Sequence, residues 1–170
     1  ERPGGVCGGA SGRRLGARFR LPAGEHLTPI GKAHVMRAGT DLTFVAYGAS
    51  TWIAMDAAEA LAAEGVEAEV VDLRSLVPYD EETVPASVRK TNRAIVVHEA
   101  QLTGGFGGEI AARLADRAFG FLDAPVKRVA YPDRPSPYSR VLEHALFPDR
   151  DKLIAAAREA GASVRLITDG

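Results

Sequence analysis

The chain has 170 residues, 46% hydrophobic and 25% charged, so it is long enough to bury a core of ordinary size. Its formal net charge of −1 argues against a protein that holds nucleic acid by charge alone. No apolar run approaches the roughly 20 residues of a membrane-spanning helix, and a single cysteine excludes an internal disulfide.

Residues 1–20 contain six glycines and five arginines but few apolar side chains. This composition predicts a disordered tail or linker rather than an RNA-binding arm, because Phe19 is its one aromatic residue. Because the sequence begins with Glu1 rather than methionine, we expect a processed product or a piece of a longer chain.

A folded domain is predicted over residues 21–160. Residues 21–40 are expected to be extended, and apolar runs then predict strands over 42–47, 68–73, 93–98 and 126–131. Helical stripes separate the strands, so the pattern predicts an α/β fold in which helices cover both faces of a mostly parallel sheet. The strands are continuous apolar runs, as a sheet buried on both faces requires.

Capping residues mark the ends of several predicted helices. Ser50 or Thr51 is the expected N-cap of the first helix, and Gly65 is the expected residue that ends it. Asp80 is the expected cap of the second helix, which begins there or, because of Pro85, at Val84. The remaining helices are expected around 110–120 and over 139–146 and 151–160, and residues 161–170 form a short extra strand or a frayed tail.

The most distinctive segment is the glycine-rich stretch 98–110, which follows a buried strand and precedes a helix. Its spacing, Gly105-x-Gly107, lacks the third glycine of a dinucleotide fingerprint because Ile110 occupies that position. Glu109 in the first helical turn is expected to occupy the place that a phosphate would take. The glycines therefore predict close packing, with Phe106 displayed between them.

His98 and Glu99 are expected at the carboxyl end of a central parallel strand, where open α/β sheets place their ligands. Adjacent strand residues point to opposite faces, so an acid–base pair acting on one substrate would need a bulge. We therefore predict a structural or interface role for both residues and no catalytic residue in the chain. The four histidines and Cys7 offer no pair at metal-ligand spacing, so no metal site is predicted.

Four blocks of sequence, in the same order and spacing, resemble one known family: GTDLTFVAYG at 39–48, VDLRSLVPYD at 71–80, KTNRAIVVHEA at 90–100 and LDAPV at 122–126. The family is the carboxyl-terminal domain of the beta subunit of thiamine-diphosphate-dependent 2-oxoacid dehydrogenases, which has the transketolase C-terminal fold. The resemblance implies a three-layer αβα domain with about five strands. The segment Leu102-Thr-Gly-Gly-Phe106 is more similar to the branched-chain members than to the pyruvate members.

The resemblance implies a domain that assembles an enzyme but carries none of its chemistry. In such enzymes, thiamine diphosphate and magnesium are held by the alpha subunit and by a pyrimidine-binding domain of the beta subunit, so this chain alone is expected to bind neither and to be inactive. The expected partners are an alpha subunit and a second beta subunit, in a heterotetramer, and no nucleic acid or membrane. The expected subunit interface is His98, Glu99, Gly104, Gly105, Phe106 and Gly107.

A further partner implied by the resemblance is the basic subunit-binding domain of the acyltransferase component. Acidic residues should face it, and Asp123 is the first candidate, with Glu143 second. The expected location is the cytoplasm of a bacterium or the mitochondrial matrix of a eukaryote. Two alternatives remain: the same domain of a pyruvate- or acetoin-type enzyme, and a free-standing α/β module that binds a small ligand at the loop after His98.

Overall fold

The computed structural model describes residues 27–162. Its five strands are β1 (His34–Arg37), β2 (Leu42–Ala46), β3 (Ala68–Asp72), β4 (Ala94–Gln101) and β5 (Lys127–Tyr131). They form one sheet in the order β1-β3-β2-β4-β5, in which only β1 and β3 pair in antiparallel orientation. The predicted α/β fold is confirmed. The predicted tails, residues 1–20 and all but the first two of 161–170, lie outside the described residues.

Helices cover both faces of the sheet. They are α1 (Ser50–Ala63), α2 (Thr83–Thr91), α3 (Phe106–Ala118), α4 (Arg140–Leu146) and α5 (Arg150–Glu159), and a short 3₁₀ helix, Phe119–Phe121, follows α3. Within the part of the chain that the structure describes, none of these helices is both long and apolar enough to cross a membrane.

Two hydrophobic cores lie on opposite faces of the sheet because successive strand residues point to opposite sides. In β2, Leu42, Phe44 and Ala46 face α1 and α5, whereas Val45 faces α2 and α3. The central strands β2, β3 and β4 follow the same alternation, and nearly all their apolar side chains are fully buried. Because helices cover both faces of these strands, their sequences are continuous apolar runs.

Capping residues are predicted for both ends of α1. Gly65 has a φ of 81°, and its backbone N–H donates to the carbonyl of Ala62, which confirms the predicted left-handed end. The predicted N-cap, Ser50 or Thr51, is wrong. The helix begins at Ser50 after Ala49, and the Thr51 hydroxyl donates to Asp72 on β3 instead of capping its own helix.

Asp80 accepts hydrogen bonds from the start of α2, as expected of a capping carboxylate, although Glu82 and not Asp80 holds the N-cap position. Its carboxylate accepts hydrogen bonds from the backbone N–H groups of Glu82 and Thr83, from the Thr83 hydroxyl, and from the backbone N–H of Ala33. The helix itself begins at Thr83, so Pro85 falls in its first turn, where a missing N–H costs little. One carboxylate therefore joins α2 to the segment that leads into β1.

A second buried carboxylate holds α2 against the sheet. Glu69 on β3 is 1% exposed and accepts hydrogen bonds from the Ser87 hydroxyl, the Lys90 ammonium and the backbone N–H of Gly39. The hydroxyl of Thr43 on β2 extends this cluster to Ser87 at 3.2 Å and to Thr91 at 2.7 Å. A buried charge is tolerated here because it is paired and hydrogen-bonded.

The Asp80→Asn variant should remove part of the acid sensitivity of the fold. Burial alone would raise the pKa of the Asp80 carboxyl, but the hydrogen bonds from Thr83, Ala33 and Glu82 outweigh it and lower the pKa to about 2. A carboxyl pKa lowered on folding stabilises the protein above its unfolded value of 3.8, by about 2 kcal/mol, and this contribution is lost as the pH falls towards 2.

Urea unfolding at a series of pH values from neutral to 3 would measure this effect. The free energy of unfolding should fall less steeply with acid in Asp80→Asn than in the wild type. Glu82→Gln is the control, because Glu82 is exposed and pairs with Lys32 at the surface. An equal acid dependence in Asp80→Asn and wild type would show that another carboxyl is responsible.

Candidate functional site

The candidate site lies where the order of the strands reverses. From β2 the chain passes through α1 to β3 on one side, and from β4 it passes through α3 to β5 on the other. The carboxyl ends of β2 and β4 therefore border the crevice in which open α/β sheets bind ligands. Tyr47 follows β2 at this edge, and His98 and Glu99 lie near the end of β4.

His98 fills the floor of this crevice. Its side chain is completely buried, and its ring stacks on Tyr47 with centroids 5.9 Å apart and planes within 5°. Neither ring nitrogen has a hydrogen-bond partner within the described residues. The pairing of β4 with β5 is irregular between Val97 and Gln101, so His98 stands at a break in the ladder.

The glycines that follow His98 have three different roles. Gly104 has a φ of 76°, a left-handed conformation that favours glycine. A Cβ atom on Gly105 would lie 2.8 Å from the Cε1 atom of His98, and one on Gly107 would overlap the Nε2 atom of the same ring. A Cβ atom on Gly108 would meet only the end of the Arg128 side chain, at 3.3 Å. The predicted close packing is thus found, but the partner is the protein's own histidine.

His98 is held in its neutral form. Burial is the main cause that lowers the pKa of its imidazole, and the positive charge of Arg128 lowers it further, against a smaller opposing influence of the Ala100 backbone. Burial and, to a smaller extent, the charge of Glu99 raise the pKa of the Tyr47 hydroxyl. The His98 ring is thus closed off from solvent and is not accessible to a substrate in this conformation.

Glu109 lies in the first turn of α3, as predicted, but its carboxylate is engaged by a side chain of the same helix. Its carboxylate accepts a hydrogen bond from Arg113 Nε at 2.7 Å, one turn further along the helix. Arg113 also pairs with Glu81 and lies over the Tyr79 ring, 5.2 Å from its centroid. The side chain that packs against the first turn of α3 is His98.

Two further contacts hold the glycine turn, and the sequence pattern did not indicate them. Asp133 accepts hydrogen bonds from the backbone N–H and the hydroxyl of Thr103, at 2.9 and 2.6 Å. Arg128 donates to the carbonyl of Leu102 at 2.8 Å, and the Leu102 N–H donates to the carbonyl of Tyr131. The loop after β4 is therefore tied to β5 and to the loop after it.

The two predicted docking residues lie on either side of β5 in the chain. Asp123 precedes β5; its exposed carboxylate pairs with Arg93 at 3.3 Å and its backbone N–H donates to the carbonyl of Asn92. Glu143 lies in the first turn of α4, a helix with no buried residue. The structure thus gives Asp123 an intramolecular partner that the sequence did not predict.

The described residues do not fit a magnesium–diphosphate group. Between residues 27 and 162, no group of three or more histidine, cysteine, aspartate or glutamate side chains lies close enough to hold a metal ion. The glycine turn, which could resemble a phosphate loop, directs Gly105 and Gly107 against His98 rather than towards an open cradle.

The family model described as "Transketolase, C-terminal domain" matches residues 31–153. This chain belongs to that family. Curated relatives include the mitochondrial 2-oxoisovalerate dehydrogenase subunit beta 2 of Arabidopsis thaliana, which is 43% identical over 81% of this chain and 38% of its own length. The mitochondrial pyruvate dehydrogenase E1 component subunit beta-2 of Oryza sativa is 44% identical over 78% of this chain and 35% of its own length.

A third relative is the acetoin:2,6-dichlorophenolindophenol oxidoreductase subunit beta of Bacillus subtilis, 42% identical over 82% of this chain and 41% of its own length. The chain therefore spans about two-fifths of the length of these curated relatives. The three identities differ too little to separate the branched-chain type from the other two. The predicted likeness to 2-oxoacid dehydrogenase beta subunits is confirmed at that coarser level.

Solved structures agree with the fold. A structure described as a split gene transketolase, inactive beta4 tetramer, has a TM-score of 0.64 and 31% identity over 76% of this chain and 42% of its own. A transketolase mutant from Pichia stipitis has a TM-score of 0.55 over 76% of this chain and 18% of its own. At 15% identity, the second likeness shows the fold alone.

Replacing Gly107 by alanine should destabilise the domain, because the added methyl group collides with the His98 ring, which is buried and stacked on Tyr47. We expect a loss of about 2 kcal/mol in the free energy of unfolding, typical of overpacking in a core. Gly108→Ala is the matched control, and it should be neutral or stabilising by up to about 1 kcal/mol, because the 3.3 Å contact with Arg128 Nη1 needs only a small shift of that flexible side chain. Thermal and urea unfolding would measure both variants, and equal stabilities would contradict the packing role of Gly107.

Proposed function

We propose that this chain is the carboxyl-terminal domain of the beta subunit of a thiamine-diphosphate-dependent 2-oxoacid dehydrogenase, and that it assembles subunits rather than performing chemistry. The similarity to relatives named for three different substrates carries this proposal. The identities lie between 42% and 44% over about four-fifths of the chain. A region shared so evenly by enzymes of different specificity is suited to a task that all of them have in common, such as assembly.

The geometry of the glycine turn supports an assembly role. Thr103 and Gly104 are exposed, and a Cβ atom on Gly104 would meet nothing within 4 Å. The hydrogen bonds from Thr103 to Asp133 and from Arg128 to Leu102 hold this small surface rigid. A rigid surface without large side chains allows the backbone of another subunit to approach closely. We place the contact with the alpha subunit or the second beta subunit of the heterotetramer at this turn.

The branched-chain type remains our choice among the substrate classes. It is supported by the segment from Leu102 to Phe106 and by the 2-oxoisovalerate dehydrogenase relative. The pyruvate- and acetoin-type enzymes are the alternatives. We also propose that thiamine diphosphate and magnesium are held by other parts of the enzyme, and calorimetric titration of this chain with both should give no binding heat. The mitochondrial and bacterial relatives support a matrix or cytoplasmic location respectively.

A substitution at Gly104 should weaken assembly without unfolding the domain. Asparagine tolerates the left-handed conformation better than other side chains, so Gly104→Asn adds bulk at the proposed contact at little cost to the fold. Gly120→Asn is the control, because Gly120 is also open to solvent but lies beyond α3, in the 3₁₀ helix.

Binding of the 170-residue chain to purified alpha subunits of the branched-chain, pyruvate and acetoin types would be measured by light scattering and surface plasmon resonance. We expect tightest binding to the branched-chain subunit and at least a tenfold loss in Gly104→Asn, about 1.4 kcal/mol. Equal affinity of Gly104→Asn and Gly120→Asn would remove the glycine turn from the interface. Tightest binding to another type would overturn the choice of substrate class.

Reversing the charge of Asp123 should weaken docking of the acyltransferase component. A basic partner gains from an exposed carboxylate at the rim of its interface, mainly through the rate of association. Asp123→Lys should therefore reduce binding to an isolated subunit-binding domain of the acyltransferase, and the reduction should be smaller at high salt. Asp116→Lys makes the same charge change on the outer face of α3 and should leave binding intact. Unchanged affinity in Asp123→Lys would rule Asp123 out.

A further inference from the structure

His98 differs from the other histidines of the described chain in its surroundings. His34 on β1 and His144 on α4 are exposed, whereas the His98 side chain has no accessible surface. Its ring lies between the Tyr47 ring on one side and the backbone of Gly105 and Gly107 on the other. The ring therefore forms the floor on which the glycine turn and the first turn of α3 rest.

No carboxylate of residues 27–162 forms a hydrogen bond with the His98 ring. On β5, Arg128 is close enough to act on the ring with its positive charge. On β4 itself, the charge of Glu99 acts on Tyr47. On α3, Glu109 is paired with Arg113, and after β5, Asp133 is engaged by Thr103.

The amino-terminal end of α3 also disfavours a positive charge on the His98 ring. The amino-terminal end of a helix carries a partial positive charge, and Gly107 in the first turn is packed directly on the Nε2 edge of His98. A protonated imidazole has two N–H donors, and because the Ala100 backbone favours the charged ring as an acceptor for one of them, the other would be buried without a partner. Such a group is costly to bury, so the ring must reach water when it gains a proton.

We propose that His98 is a proton-sensitive latch, and that uptake of one proton by its ring releases residues 104–107 and the first turn of α3 from the sheet. The turn is closed while the ring is neutral and opens when the ring is charged. This release of the glycine turn is a property of the domain alone, so it does not depend on which enzyme the domain belongs to. The same turn carries the assembly contact placed at Gly104 above, so opening would also loosen that contact.

The direction of the pH dependence follows from linkage. Burial, followed by the charge of Arg128, lowers the pKa of His98 in the closed state below its ordinary value of 6.5. The open state, in which the ring is solvated, therefore binds the proton more readily than the closed state. The population of the open state should rise by about tenfold per pH unit as the pH falls from 6.5 to the lowered pKa, and then level off.

Hydrogen exchange of the full 170-residue chain between pH 7.5 and 4.5 would test the latch. The protection of the Gly108 and Ile110 amides would be divided by that of Phe44 and Val45 in β2, so that the intrinsic pH dependence of exchange cancels. NMR titration of the His98 ring in the same samples would give its pKa. We expect the ratio to fall with acid and the pKa of His98 to lie below its ordinary value of 6.5.

Three variants make the test specific. His98→Gln places a neutral side chain in the cavity and should abolish the pH dependence of the ratio. Arg128→Gln removes the charge that lowers the pKa of His98 but also the hydrogen bond to Leu102, so the ratio of each variant is compared with its own value at pH 7.5. The acid-induced fall of the ratio should be smaller and should end at a higher pH in Arg128→Gln, whereas Arg128→Lys keeps the charge and should show the wild-type fall. A ratio that stays flat in the wild type while His98 titrates, or a pH dependence that survives in His98→Gln, would overturn the proposal.

Discussion

The contact between the His98 ring and the backbone of Gly105 and Gly107 is the constraint on which the candidate site depends. It sets how closely α3 approaches β4, and through α3 it sets the position of the exposed turn at Thr103 and Gly104. An imidazole can serve in this position only while it is neutral, because burial and Arg128 both oppose its charge. Packing and protonation are therefore coupled at one residue.

The second helix on the same face, α2, is held by a different device. Asp80 and Glu69 are both buried carboxylates, but each is surrounded by donors: backbone N–H groups and a hydroxyl at Asp80, and Ser87, Lys90 and Gly39 at Glu69. Such groups stabilise the folded state because their charge is satisfied. The carboxylates at α2 have partners whereas the His98 ring under α3 has none, so the two helices respond to acid through different groups: α2 through Asp80, whose pKa is about 2, and α3 through His98.

This division of roles agrees with a domain that supports an enzyme without containing its active centre. Many α/β proteins bind ligands in the crevice where the strand order reverses. In this domain, the buried His98 ring and the Tyr47 ring stacked on it fill the bottom of that crevice. What remains exposed at that edge is a rigid turn of small residues. A surface of this kind suits contact between chains, which is the function proposed for it.

The sequence alone determined the architecture, because alternating apolar runs and helical stripes depend on local periodicity. It also located the left-handed end at Gly65 and the carboxylate at Asp80, since both act on residues nearby in the chain. The short edge strand β1 was foreseen only as an extended segment. The sequence indicated that the glycines pack closely, but only the tertiary structure decided that their partner is His98, and that Asp123 pairs with Arg93. The pair of Glu109 and Arg113 follows from their spacing of four residues on one helix. The other two outcomes depend on which side chains distant strands and helices bring within reach, and no spacing along the chain encodes that.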